Sequence, residues 1–108
     1  MLNSDFFIVK RGIKITELWV LILYISGETE TAKNAIHNLR NVCSEYLKNR
    51  CDITVVDLKK HPEIAAQKEI VAIPTLVKER PLPVRMMIGD LHSTKKVLIG
   101  LDIEHREK

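Results

Sequence analysis

Leu18 to Ile25 is a run of eight apolar residues with no polar residue between them. A strand with one wet face alternates apolar and polar residues, so an unbroken run of this length marks a strand covered on both faces. Such a strand needs helices above and below it, which makes the chain α/β and this run its central strand. At 108 residues there is room for one domain and one core. The run is also less than half of what a bilayer crossing needs, and Lys10-Arg11 interrupts the only other early apolar cluster, Phe6 to Val9. No membrane span and no signal peptide are expected, and a cytoplasmic location follows.

The covering layer comes next in the chain. Ser26 to Glu30 is a turn with helix-starting chemistry, in which Thr29 can cap exposed amides and the glutamates favour the positive end of the helix dipole. Ala32, Ala35, Ile36, Leu39, Val42, Cys43, Tyr46 and Leu47 then recur at spacings of three and four, the inward stripe of a long helix. Ile53 to Val56 is β-branched and short, so strand, helix and strand form a right-handed crossover with parallel pairing. Pro62 opens a short second helix over Glu63 to Glu69, with Ile64, Ala65 and Ile70 turned inward. Val71 to Val77 is a third strand, and Pro74, unable to donate to a ladder, belongs at its start.

The last third permits two readings. Val84 to Ile88 suits a strand ended by Gly89-Asp90, followed by a helix over Lys95 to Ile103 that Ser93 or Thr94 caps and that buries Val97, Leu98 and Leu101. Met86, Met87 and Leu91 equally have helical spacing, and Val97-Leu98-Ile99 suits a buried strand. Strand then helix, and helix then strand, both remain open.

Several function classes lose support. The net charge of +3 comes from cations dispersed among fourteen acids, and the five aromatics do not interleave with them, so no nucleic-acid partner is expected. Cys43 and Cys51 are too few and wrongly spaced for a disulfide framework or a zinc site. His37, His61, His92 and His105 fall in four separate segments, which gives no metal and no cofactor signal.

A β-α-β-α order followed by Ile73-Pro74-Thr75-Leu76 resembles the thioredoxin fold, in which the proline before the third strand is cis; Pro74 stands at that place. The redox chemistry of that fold needs Cys-x-x-Cys at the start of the first helix, where this chain has Gly27-Glu28-Thr29-Glu30-Thr31. Leu-Tyr-Ile-Ser-Gly-Glu-Thr, Pro-Thr-Leu-Val-Lys, Pro-Leu-Pro-Val-Arg, Ile-Gly-Asp-Leu and Lys-Val-Leu-Ile-Gly-Leu-Asp, in this order, resemble the KaiB family from about Leu18 to Ile103. The expected organisation is an arm or short strand over 1–16, a KaiB-like domain over 17–104 and a tail over 105–108.

The resemblance implies a regulator rather than an enzyme, partnered with a KaiC-type hexameric ATPase and, where the cell has one, with KaiA. It also implies two folds for one sequence: a ground state, usually tetrameric, and a monomeric thioredoxin-like state, differing in the ambiguous last third. Pro74, Gly89 and Asp90 are the expected switch residues. If only the ground state uses the positive φ open to glycine, Gly89→Ala would favour the thioredoxin-like form. Lys78, Arg80 and Arg85, around the Pro81-Leu82-Pro83 turn, are the candidate contacts to acidic patches on a partner, with Lys68 and Glu69 behind them. The other class is a stand-alone thioredoxin-like adaptor, similar to the KaiB-like sensor domain of a histidine kinase. A glutathione transferase would need a further helical domain for which the chain has no room.

Overall fold

The computed structural model describes residues 18–103. The arm and tail expected at the two ends lie outside those residues. The element order is β1 (Trp19–Ile25), α1 (Glu30–Tyr46), β2 (Cys51–Asp57), α2 (Pro62–Gln67), β3 (Thr75–Arg80), β4 (Arg85–Ile88) and α3 (Thr94–Gly100). The four strands form one mixed sheet in the order β2-β1-β3-β4. β1 runs parallel to β2, with Trp19 opposite Cys51 and Ile25 opposite Asp57. It runs antiparallel to β3, which is in turn antiparallel to β4.

The apolar run therefore sits inside the sheet, and each of its faces has its own core. Trp19, Leu21, Leu23 and Ile25 point to the side where Ala32, Ala35, Leu39, Val42 and Leu47 of the α1 segment meet Val97 and Leu101 of the α3 segment. Tyr24 joins Leu58 and Val77 on the other side, with Ile22, Val56 and the α2 residues Ile64 and Ala65 packed against them. The missing alternation in the sequence has this two-sided burial as its cause.

Helix starts follow the expected chemistry. Thr29 Oγ1 accepts from the Ala32 amide at 3.1 Å, and Pro62 occupies the first turn of α2, where no amide is needed. The third strand starts at Thr75 rather than Val71: Pro74, which is cis, has no N–H to donate, and its carbonyl accepts from the Gly89 amide at the end of the β3–β4 pairing. The last third is strand then helix: Ser93 caps α3, and Val97 and Leu101 are buried. Residues 18–103 thus form a small α/β domain of thioredoxin-like architecture.

Candidate functional site

In thioredoxins, redox chemistry is located at the start of α1. There the Asp57 carboxylate, at the end of β2, accepts from the Gly27 amide and from the Lys59 amide, both at 2.9 Å. These bonds hold its carboxyl below the usual carboxylate range, the Gly27 N–H contributing most. Gly27 has φ +79, and a Cβ there would stand 3.2 Å from the Lys59 side chain. The loops after β1 and β2 are thereby tied together beside a cleft of about 270 Å³ lined by Glu28, Lys33, Val55, Asp57 and Lys60, among others. No sulfur lines it. Cys51 begins β2, at the opposite end of the strand, about 20 Å away for six residues of strand rise. Burial, then a hydrogen bond with the Cys43 thiol, pushes the Cys51 thiol up, the reverse of what a nucleophilic thiolate requires.

The three expected switch residues do come together. The Pro74 carbonyl accepts from the Gly89 amide at 2.9 Å. The next carbonyl, that of Asp90, accepts from Asn38 Nδ2 on α1 at 2.9 Å. The Asp90 carboxylate turns toward His92, accepting from its amide at 3.1 Å and lying 2.7 Å from its ring, and this side-chain hydrogen bond holds the carboxyl below its usual range. Gly89 has φ +120 here. The conditional supposition that positive φ at Gly89 belongs to the ground state alone is therefore corrected: the thioredoxin-like fold described here has Gly89 in that region. A Cβ at Gly89 would meet nothing within 4 Å, so the penalty is in the backbone alone.

The three expected partner contacts separate. Arg80, at the end of β3, is exposed. Arg85, at the start of β4, is exposed but its Nη2 lies 3.3 Å from Asp102 Oδ2, just after α3. Lys78 is a correction: it is 0% exposed, because the pleat turns it to the inner face with Leu76. Its Nζ donates to the Leu101 carbonyl at 3.3 Å and stands 5.2 Å from the centre of the Trp19 ring. Lys68 and Glu69 are exposed just after α2, on the layer that covers the other face of the sheet. Sequence reasoning missed Asp57, Trp19 and Asp102. For Lys78 a signal existed, since it falls two residues after Leu76 and shares its side of the strand.

Next to Arg80 and Arg85 is an apolar stripe that the residue types alone did not single out. Leu82, Val84, Met86 and Ile88 alternate along the Pro81–Ile88 segment and are all more than half exposed. Met86 stands opposite the buried Val77 and Ile88 opposite the buried Thr75. The stripe thus continues the α2 side of the sheet beyond what α2 covers.

A family model described as the KaiB domain matches residues 22–103. The circadian clock oscillator protein KaiB of Microcystis aeruginosa is 42% identical over 89 residues, covering 82% of this chain and 86% of the relative. That of Thermostichus vulcanus is 40% identical over 93 residues, covering 86% of each. Circadian clock protein KaiB3 of Synechocystis is 39% identical over 84 residues, covering 78% of this chain and 82% of the relative. Among solved structures, the amino-terminal domain of Synechococcus elongatus SasA superposes with a TM-score of 0.64 at 14% identity, covering 80% of this chain and 85% of that one. Mitochondrial thioredoxin 3 of Saccharomyces cerevisiae gives 0.61 at 19% identity, covering 84% and 82%. The structural likenesses establish a thioredoxin-like fold, and the sequence matches, spanning both the cysteine-free start of α1 and the last third, establish that the chain belongs to the KaiB family.

Proposed function

We propose that this chain is a non-enzymatic regulator that binds a KaiC-type hexameric ATPase and alters its phosphorylation state or output, as part of a clock, a timer or a stress response in the cytoplasm. The observation that carries the reading is the family match over residues 22–103 on a fold whose catalytic position holds Gly27-Glu28-Thr29-Glu30-Thr31. With no thiol at that position, the fold offers a surface rather than a redox centre. Arg80 and the Pro81-Leu82-Pro83 turn are the proposed contact region, with Arg85 at its margin. The thioredoxin-like form is the binding-competent one, and a second, oligomeric arrangement of the last third is the resting form. Two packings of one sequence can coexist when they lie within a few kcal/mol of each other.

The test is a pull-down with a KaiC-type hexamer in the presence of ATP. Retention of the chain that an excess of untagged chain competes away supports the reading. Absence of retention under ATP, together with a single monomeric state by NMR, replaces it with the stand-alone adaptor.

A further inference from the structure

Residues that look like surface cations in the sequence are placed at the far end of α3. Lys78 lies opposite Leu21 on β1 and opposite Arg85 on β4, so the two cations are cross-strand neighbours on the face that α3 covers. α3 ends with Asp102 at φ +62, the Asp102 amide bonded to Ile99 O at 3.1 Å and the Ile103 amide to Leu98 O at 2.8 Å. This is the closure in which a left-handed residue folds the chain back over the last turn. It uses the carbonyls of Leu98 and Ile99, and leaves that of Leu101, beyond the last turn, to a donor outside the helix. Lys78 Nζ is that donor, at 3.3 Å. One residue on, the Asp102 carboxylate takes Arg85 Nη2 at 3.3 Å.

We propose that Lys78 and Arg85 form a two-point latch on the carboxy-terminal end of α3, selecting the strand-then-helix arrangement from inside the domain. An arrangement that lifts α3 from the sheet takes the Leu101 carbonyl away from a fully buried ammonium. Removing one partner of a buried charge is far more costly than removing one at the surface. Arg85 and Asp102 are about half and a third exposed, so their pair is screened by salt and adds a weaker, adjustable contact. Lys78 discriminates between arrangements; Arg85 trims the balance. The regulatory meaning of the latch rests on the two-arrangement reading proposed above, whereas its existence is tested on the chain alone.

The experiment is native-state hydrogen exchange on the full chain, with Lys78→Met and Asp102→Asn as variants. Met keeps an apolar stem against Trp19 without the donor, and Asn tolerates the left-handed conformation without the charge. In Lys78→Met the Val97, Leu101 and Ile103 amides should exchange about ten- to a hundredfold faster, the range for a lost hydrogen bond to a charged group, while amides of β1 and α1 keep their rates. In Asp102→Asn the same three amides should exchange about two- to fivefold faster at low salt and no faster at high salt. Equal acceleration of α1 and α3 in Lys78→Met would make Lys78 a general core contact and overturn the latch. Unchanged α3 exchange would overturn it too. Should Lys78→Met not fold, identical α3 exchange in wild type and Asp102→Asn at low salt is the refuting result. The pull-down does not enter, so a chain that captures no hexamer yet shows local release of α3 retains its latch and loses only the proposed partner.

Discussion

Replacing Leu101 by alanine separates a domain with two arrangements from an ordinary one. Leu101 is 0% exposed and Leu39, on α1, is 1% exposed, both in the same core cluster. Truncating either side chain loses about 2 kcal/mol of apolar transfer. With the cavity left behind, the total is about 3 kcal/mol. The chemistry is equal but the consequence is not. Leu39 belongs to the half that both proposed arrangements share, whereas Leu101 belongs to the third that the proposal has changing, and packs here against the sheet beside α3. Leu39→Ala should therefore lower the urea midpoint of the whole domain. Leu101→Ala should instead shift population away from the strand-then-helix arrangement by roughly 150-fold, more than a gap of about 2 kcal/mol can absorb. Nitrogen–proton correlation spectra of the two variants, with size-exclusion chromatography for assembly, read the difference. A Leu101→Ala chain that is monomeric, with a single set of resonances and the same drop in urea midpoint as Leu39→Ala, would refute the reasoning and leave one cooperative domain.

Other outcomes follow from individual residues. Arg80→Glu, reversing the exposed cation at the Pro81–Pro83 turn, should slow association with a KaiC-type hexamer about tenfold at low salt and much less at high salt, as surface plasmon resonance at two ionic strengths would show. Asp57 has its carboxyl held low by two amides, so its contribution to stability is fully present above about pH 4 and is lost as pH falls through its lowered value. Urea midpoints should accordingly fall on acidification below about pH 4 in the wild type, with a smaller fall in Asp57→Asn. Gly89→Ala should destabilise the arrangement described here by about 1 kcal/mol, since φ +120 suits glycine alone, and thermal unfolding of the monomeric form measures it.

The sequence by itself determined the layers. The eight-residue apolar run without alternation reads as a strand covered on both sides, and the eight-member stripe at spacings of three and four reads as the helix that covers it. Both follow from the fixed periods of backbone geometry, and both hold in β1 and α1. The missing cysteines at Gly27 to Thr31 were legible for the same local reason. Phrases shared with a family carried the family membership, because residue order is what a sequence preserves.

Tertiary structure decided what depends on which surface lies opposite. Val97-Leu98-Ile99 is apolar enough for either secondary structure, and becomes helix here because Ser93 caps it and its inward residues meet α1 and β1. Lys78 is a charged residue like Arg80 in a list of letters. The two-residue period puts Lys78 on the side of Leu76, but it is the pairing of β3 between β1 and β4 that buries it against Trp19 and the end of α3 while Arg80 is exposed at the end of its strand. Burial is a property of neighbours brought from 23 residues away, as in the bond from Lys78 to Leu101, and no local window contains it.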